Sequence, residues 1–471
     1  MGKVEEFLKK SSEIMKRSLA GVDYDKFEMK NISFDYESLM NLVPYNINEI
    51  IKIQREYKVG GTPLYELENI NKVVKKLSKP GFGAKILLKD EANNASGSFK
   101  SRRASLSIFH AKKLGYEGVV AETSGNYGAA VASQAAQMNL KAIIVQEVFD
   151  SKWIGQPEIL EKGRACEAYG AEVWQMTVGP ELFYWTLIIL NETGYFNASL
   201  YTPFAIKGIE TLGYEIANDV KEKYGKFPDY VLTTHAGGGN ITGTKRGLIS
   251  AGAKGTKVIG VSVDLRGLHM ASDRDFNRKS FTTGHTGFGV PFLVKPDRTD
   301  VPRNAARALR YIDDYFLVSQ GEVFYTTILL AQIEGLERGP AGNTALSAAI
   351  PFATKLPEDK IIVVQETEYT GAGKHPYAQL TFAREMGVEV VKGDPNDNIP
   401  GKRIVIPEDV ENLRYEELNM NELKISYLKH NIKNIQEITK DDLNFLKQEV
   451  NEVESDFVEK FLYEKGVKIN G

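Results

Sequence analysis

Ser96-Gly97-Ser98-Phe99-Lys100 follows an apolar run, Ile86-Leu87-Leu88, and leads into a segment whose spacing through Ser105, Ile108 and His110 predicts a helix. A lysine in the first turn of a helix is electrostatically unusual, because a helix start favours anions. That position predicts a depressed pKa for Lys100. An amine partly neutral at pH 7 is a nucleophile suited to imine formation with an aldehyde. Most helix lysines are simply solvated, so the reading of Lys100 depends on the rest of the chain.

Outward from that stretch, short apolar runs at 85–89, 118–121, 142–146, 172–175, 230–233, 258–263 and 361–365 read as strands. Helical patterns at 128–138, 156–169, 206–224 and 344–354 lie between them. Strands alternating with helices predict parallel sheets with helices on both faces, an α/β protein. Ligands of such sheets sit beyond the carboxyl ends of the strands, which directs attention to the strand-to-helix turns.

Besides the turn of Lys100, two others carry chemistry. Thr123-Ser124-Gly125-Asn126-Tyr127-Gly128 offers hydroxyls, an amide and approachable backbone N–H groups at a helix start. It suits a carboxylate, and serves equally well as a plain helix cap. Ala236-Gly237-Gly238-Gly239-Asn240 lets several N–H groups converge on one anion, for which a phosphate is the natural occupant. No Gly-Lys-Ser/Thr follows, so it is no Walker A loop, and it lacks the spaced glycines of a dinucleotide fingerprint. Beyond 361–365, Glu366-Thr367-Glu368-Tyr369-Thr370-Gly371 places acids and hydroxyls at a strand end. The basic, glycine-rich segment 264–310 could cover a site, bind a polyanion, or simply be solvated.

The formal charge of −3 leaves no footprint for nucleic acid or an anionic membrane, and no apolar run approaches the ~20 residues of a membrane span. A cytoplasmic protein without a metal is expected. The single cysteine, Cys166, excludes an internal disulfide and falls in a helical stretch rather than a strand-end turn, so a structural role is expected. Three regions follow: a helical N-terminal extension (1–57), an α/β body (58–400) with a smaller subdomain inserted at about 115–215, and a charge-rich helical extension (401–471). In the last, Leu443, Leu446, Val450, Val453, Phe457 and Phe461 form one apolar stripe behind a cap at Thr439 and Asp442, packed on the body or on another subunit.

The order Ser-Gly-Ser-Phe-Lys, Thr-Ser-Gly-Asn-Tyr-Gly, Tyr201-Thr202-Pro203-Phe204-Ala205-Ile206-Lys207-Gly208 and a Gly-Gly-Gly-Asn turn resembles the fold type II pyridoxal-phosphate enzymes, the tryptophan synthase β and threonine synthase group. The resemblance implies two parallel-sheet subdomains with pyridoxal 5′-phosphate between them. It makes Lys100 the imine-forming lysine and gives the cofactor's 3-oxygen to Asn126. The phosphate falls to Gly237, Gly238, Gly239 and Asn240, and the substrate carboxylate to Thr123, Ser124 and Gly125. The ring nitrogen usually meets a hydroxyl in these enzymes. Alignment points to Thr370, with Glu366, Thr367 and Glu368 as alternatives. Many relatives carry Asp after the lysine, where this chain has Ser101-Arg102-Arg103.

More narrowly, Gln146-Glu147-Val148-Phe149-Asp150-Ser151, the run 195–203, Gly267-Leu268-His269-Met270-Ala271-Ser272-Asp273 and the run 365–375 look like the β subunits of 2-amino-4-ketopentanoate thiolases. That resemblance implies thiolysis of 2-amino-4-oxopentanoate by coenzyme A to acetyl-CoA and alanine, in ornithine degradation. A small α subunit is implied as partner, in a hetero-oligomer built on a β-subunit dimer. Arg274, Arg278 and Lys279 are candidates for the coenzyme A phosphates by composition. His235 is expected to be a packed neighbour of the glycine turn and His110 structural, while His269 and His285 stay open. A threonine-synthase-like replacement enzyme or lyase, and a scaffold subunit without chemistry, remain as alternatives.

Overall fold

The computed structural model describes residues 3–29, 32–123, 125–179, 181–200, 202–266, 280–282, 308–369, 371, 375–452 and 455–470. Runs such as Ile361-Ile362-Val363-Val364 are apolar without alternation because helices cover both faces of their strand, and every residue of that strand is buried. In chain order the strands of the two main sheets are β1 (Leu64–Glu66), β2 (Lys85–Asp90), β3 (Gly118–Thr123), β4 (Lys141–Phe149), β5 (Glu172–Thr177) and β6 (Phe196–Asn197), then β7 (Tyr230–Thr234), β8 (Lys257–Val263), β9 (Asp314–Val318), β10 (Ile361–Glu366) and β11 (Glu416–Glu417).

The larger sheet has the order β11-β9-β8-β7-β10-β2-β1. Its five inner strands run parallel, and two short antiparallel strands close the edges. The smaller sheet, β5-β4-β3-β6, is parallel throughout and lies in sequence between β2 and β7. β10 sits between β7 and β2, with Val364 level with Leu232 on one side and Leu88 on the other, and Glu366 opposite Asp90. Their carboxyl ends therefore finish side by side.

The helices that matter for the site are α1 (Lys100–Lys113), α2 (Asn126–Met138), α3 (Pro203–Tyr224), α4 (Gly239–Ser250) and α5 (Pro340–Ala353). α1 packs on α2 and α3, and α3 on α4. The α3–α4 contact is close enough that a Cβ on Gly213 would overlap the Thr244 carbonyl, and one on Gly247 the Glu210 carbonyl.

Several elements depart from the sequence pattern. The helices Glu181–Thr193 and Gln320–Glu334 carry almost no polar face, so amphipathic periodicity does not reveal them. β9, which the sequence reading does not include, follows the short helix Ala308–Tyr311. The C-terminal stripe is not one helix but two, Lys440–Glu449 and Phe457–Glu464, interrupted where Asn451 takes a φ of 53°. The cap holds: Thr439 and Asp442 form a reciprocal capping box. Both helices pack on the chain's own body, with Leu446, Val450 and Phe461 in one core with Leu309, Ile312 and Tyr315. The N-terminal extension is helical apart from a two-residue ladder, Glu28–Met29 with Ser33–Phe34. It buries Phe7, Ile14, Met15 and Leu19 in the core of the smaller sheet.

Candidate active site

Lys100 is the first residue of α1, one loop beyond the end of β2. That loop is clasped by the segment that leaves β10. The Phe99 N–H donates to the Thr367 carbonyl at 3.0 Å and the Tyr369 N–H to the Gly97 carbonyl at 2.7 Å. Ser98 pairs with Glu368 in an antiparallel bridge. Lys100 is partly exposed, with Nζ 4.3 Å from the centroid of the Phe99 ring. Ser101, standing where many relatives carry an acid, is fully buried and ties the loop to the helix. It accepts the Ser96 N–H at 3.3 Å and lies 2.7 Å from the Ser96 hydroxyl.

Beneath the loop lies an ionic network. Arg102, with no exposed surface, forms a bidentate pair with Glu91 at 2.7 and 2.8 Å and reaches Glu215 on α3 at 2.7 Å. Glu215 also meets the buried Lys89 at 3.2 Å, and the Thr62 hydroxyl donates to Glu91 at 2.6 Å. Burial works against charge here. Even so, the carboxylates of Glu215 and Glu91 raise the Arg102 pKa, and Arg102 in turn draws Glu215 down to about 2. The network fixes the first turn of α1 against β2 and α3.

Asn126 opens α2 at the end of β3, and its side-chain amide donates to the Glu368 carboxylate. The two loops are thereby joined across the cleft. The Thr123 hydroxyl accepts the N–H groups of Gly125 at 3.0 Å and Gly128 at 2.9 Å, so it is engaged in capping the turn. At the glycine turn Gly238 has a φ of 86°, and α4 begins at Gly239. A Cβ on Gly239 would lie 2.6 Å from a guanidinium nitrogen of Arg103 and 2.8 Å from Ile206. The Asn240 side chain turns inward, donating to Thr233 at 2.5 Å and Gln365 at 2.8 Å, which leaves its backbone as the part available to the turn.

The structure thus links Asn126 to the Lys100 loop by way of Glu368, and the glycine turn to the helix of Lys100 by way of Arg103, and it brings in two groups that sequence reasoning missed or left open. One is Arg103, a helical turn beyond Lys100, whose i, i+3 spacing places it at the glycine turn. The other is the acid pair Glu366 and Glu368. Ser124, Thr370, Arg274, Arg278, Lys279, His269 and His285 lie outside the described residues. Cys166 is buried, and burial pushes its thiol pKa up to about 12. His110 stacks on Phe204, lies 2.9 Å from the Tyr45 hydroxyl, and is drawn down to about 4 by burial and by Lys113. His235 is buried edge-on to Tyr315. Among the described residues no cluster could hold a metal ion, and no helix is long and apolar enough to cross a membrane.

Comparison with known proteins agrees with this geometry. Residues 55–368 match the family model described as pyridoxal-phosphate dependent enzyme. A 2-amino-4-ketopentanoate thiolase beta subunit from an unknown prokaryotic organism is 60% identical over 460 residues, 97% of each chain. One from Acetoanaerobium sticklandii is 57% identical over 444 residues, 94% of each chain. A probable cysteine synthase of Bacillus subtilis is 28% identical over 318 residues, 65% of this chain and 90% of its own. With a lysine at a helix start, an asparagine opposite and a glycine turn between neighbouring strand ends, and with relatives matched over almost its whole length, the chain belongs to the pyridoxal-phosphate-dependent enzymes, in the group of the 2-amino-4-ketopentanoate thiolase β subunits.

Proposed function

We propose that this chain is the catalytic β subunit of a 2-amino-4-ketopentanoate thiolase, converting 2-amino-4-oxopentanoate and coenzyme A to acetyl-CoA and alanine together with a small α subunit. The observation that carries the reading is the convergence of Lys100, Asn126 and Gly237–Asn240 in a chain aligned almost end to end with such subunits.

The residues present fit pyridoxal phosphate. At the glycine turn the bare backbone of Gly239 lets the Arg103 guanidinium approach more closely than a Cβ would allow, and that cation, the turn's N–H groups and the helix dipole favour a phosphate. Asn126, joined to the Lys100 loop through Glu368, has an amide that would donate to the 3-oxygen, and Lys100 would supply the amine for the aldehyde. When bound, the cofactor withdraws electrons from the substrate carbon that bears the amino group. Lys100 Nζ then holds and moves the proton at that carbon. The backbone of the Thr123–Gly125 turn orients the substrate carboxylate, and the clasp between the Lys100 loop and residues 367–369 excludes water from one side. In the overall exchange the coenzyme A sulfur bonds to C4, the C3–C4 bond breaks, and the thiol proton ends on C3. Cys166 supplies no nucleophile, being buried with a pKa near 12, so coenzyme A attacks directly. Arg274, Arg278 and Lys279 are proposed for its phosphates. The assembly is proposed as a hetero-oligomer built on a β-subunit dimer.

The test is acetyl-CoA formation by the cofactor-loaded chain with and without the α subunit. Lys100→Ala is expected to lose the visible absorbance of the bound cofactor and at least ~10³-fold in kcat. Turnover of O-phosphohomoserine without coenzyme-A-dependent cleavage would overturn the proposal in favour of a replacement enzyme.

A further inference from the structure

The floor of the cleft carries a carboxyl group that nothing above employs. β10 lies between β2, which feeds Lys100, and β7, which feeds the glycine turn. A flat ligand joined to an amine at one and holding a phosphate at the other must cross the end of β10, whose last residue is Glu366. Glu366 has no exposed surface, and neither carboxyl oxygen accepts a hydrogen bond from another side chain among the described residues. The neighbouring cation, Arg338, is committed to Asp90 at 2.5 and 2.8 Å, and Glu368 reaches to Asn126.

Room for the two acids comes from the start of α5. A Cβ on Gly342 would overlap Glu366 Oε1, and one on Gly339 would lie 2.6 Å from Glu368 Cγ. Burial first, then the charges of Glu368 and Asp90, raise the Glu366 pKa well above the usual carboxylate value. Among the described residues Glu366 has a backbone hydrogen bond with Glu368 in place of a side-chain partner, and a buried carboxyl so thinly satisfied is costly enough to require an explanation. Of the cofactor's polar atoms, the aldehyde, the 3-oxygen and the phosphate would be met by Lys100, Asn126 and the glycine turn. The ring nitrogen, a base, is left.

We propose that Glu366 is the partner of the cofactor's pyridine nitrogen, meeting it with a carboxyl group where the resemblance implies a hydroxyl. One proton is shared between the carboxyl oxygen and the nitrogen, so no further reactant is needed. A carboxyl there strengthens the ring's pull on electrons beyond what a hydroxyl achieves.

The inference rests on the cofactor assignment and not on the thiolase reaction, and it is tested without turnover. The full-length apo chain is titrated with pyridoxal phosphate and with its 1-deaza analogue, in which CH replaces the nitrogen. The unaltered chain is expected to prefer the natural cofactor by at least ~10-fold, the value of one good hydrogen bond. Glu366→Leu is expected to bring that preference close to one, and Thr370→Val to leave it intact. Preference retained in Glu366→Leu, or lost in Thr370→Val, overturns the proposal. Should Glu366→Leu fail to fold, the near-isosteric Glu366→Gln decides with ¹⁵N-labelled cofactor. Its nitrogen resonance is expected to move toward that of a neutral pyridine, and an unmoved resonance overturns the assignment. A folded chain that binds neither compound overturns the cofactor reading as well, which separates the two failures.

Discussion

Removing a thiolate from water raises its energy, and Cys166, enclosed in the helix Pro157–Ala168, has its thiol pKa pushed up to about 12 by burial. At pH 7 it is a small hydrophobe. Cys166→Ala is therefore expected to keep kcat within about twofold while lowering stability by ~1 kcal/mol, the cost of a small cavity; a loss of kcat beyond tenfold with an unchanged melting curve would contradict this. Lys100 has the opposite setting, partly exposed at a helix start within a loop held on both sides. Reactivity in this chain follows from where a side chain is placed more than from its type.

At the scale of elements, two devices hold the cleft in shape. The buried Arg102–Glu91–Glu215 network fixes the start of α1. Arg102→Ala is expected to destabilise the fold by ~3–5 kcal/mol, because two carboxylates lose their buried partner, and chemical denaturation measures it. The glycine turn is the second. In Gly239→Ala the new methyl meets Arg103 and Ile206, so cofactor affinity is expected to fall about tenfold or more. Gly255→Ala, with nothing within 4 Å of its Cβ position, leaves affinity unchanged. An equal loss in both variants would remove the turn from the binding site.

How much of this was legible depended on whether the signal was local. The inner strands could be read because their Val and Ile runs are covered on both faces. The turns of Lys100, Asn126 and Gly237–Asn240 could be read because glycines, caps and helix starts are neighbours in sequence. The helix Glu181–Thr193 was hidden because its apolar surface runs all round. Arg103 at the glycine turn was not legible, and Glu366 stood only as one alternative beside Thr370, since each meets its neighbour only through sheet order. The interruption at Asn451 was likewise hidden within an apolar spacing that continues across it.

For the whole molecule, two groups whose folded pKa values are strongly depressed contribute to acid stability. Glu215 falls from 4.5 to about 2, opposed by burial but drawn down by Arg102. Its stabilisation is fully present above pH 4.5 and is lost as the pH falls toward 2, amounting to ~3 kcal/mol. His110 falls from 6.5 to about 4 through burial and Lys113. The unfolded chain takes up that proton first, so stability begins to decline as the pH drops below 6.5. The contributions of these two groups are expected to fall in two stages, between pH 6.5 and 4 and then between 4.5 and 2, while Glu366, whose pKa is raised, contributes with the opposite sign in the first window. In His110→Phe the first stage disappears and the second remains. A profile unchanged by that substitution would assign the first stage to other groups.

The clasp across the cleft also sets an order of events during synthesis. Asn126 and the Glu368 that it meets are 242 residues apart. At ~5–20 residues per second a ribosome needs roughly 10–50 s to cover that distance. Through that interval the growing chain presents Lys100 on a loop whose closing segment does not yet exist, so cofactor capture belongs to the end of translation and not to its middle.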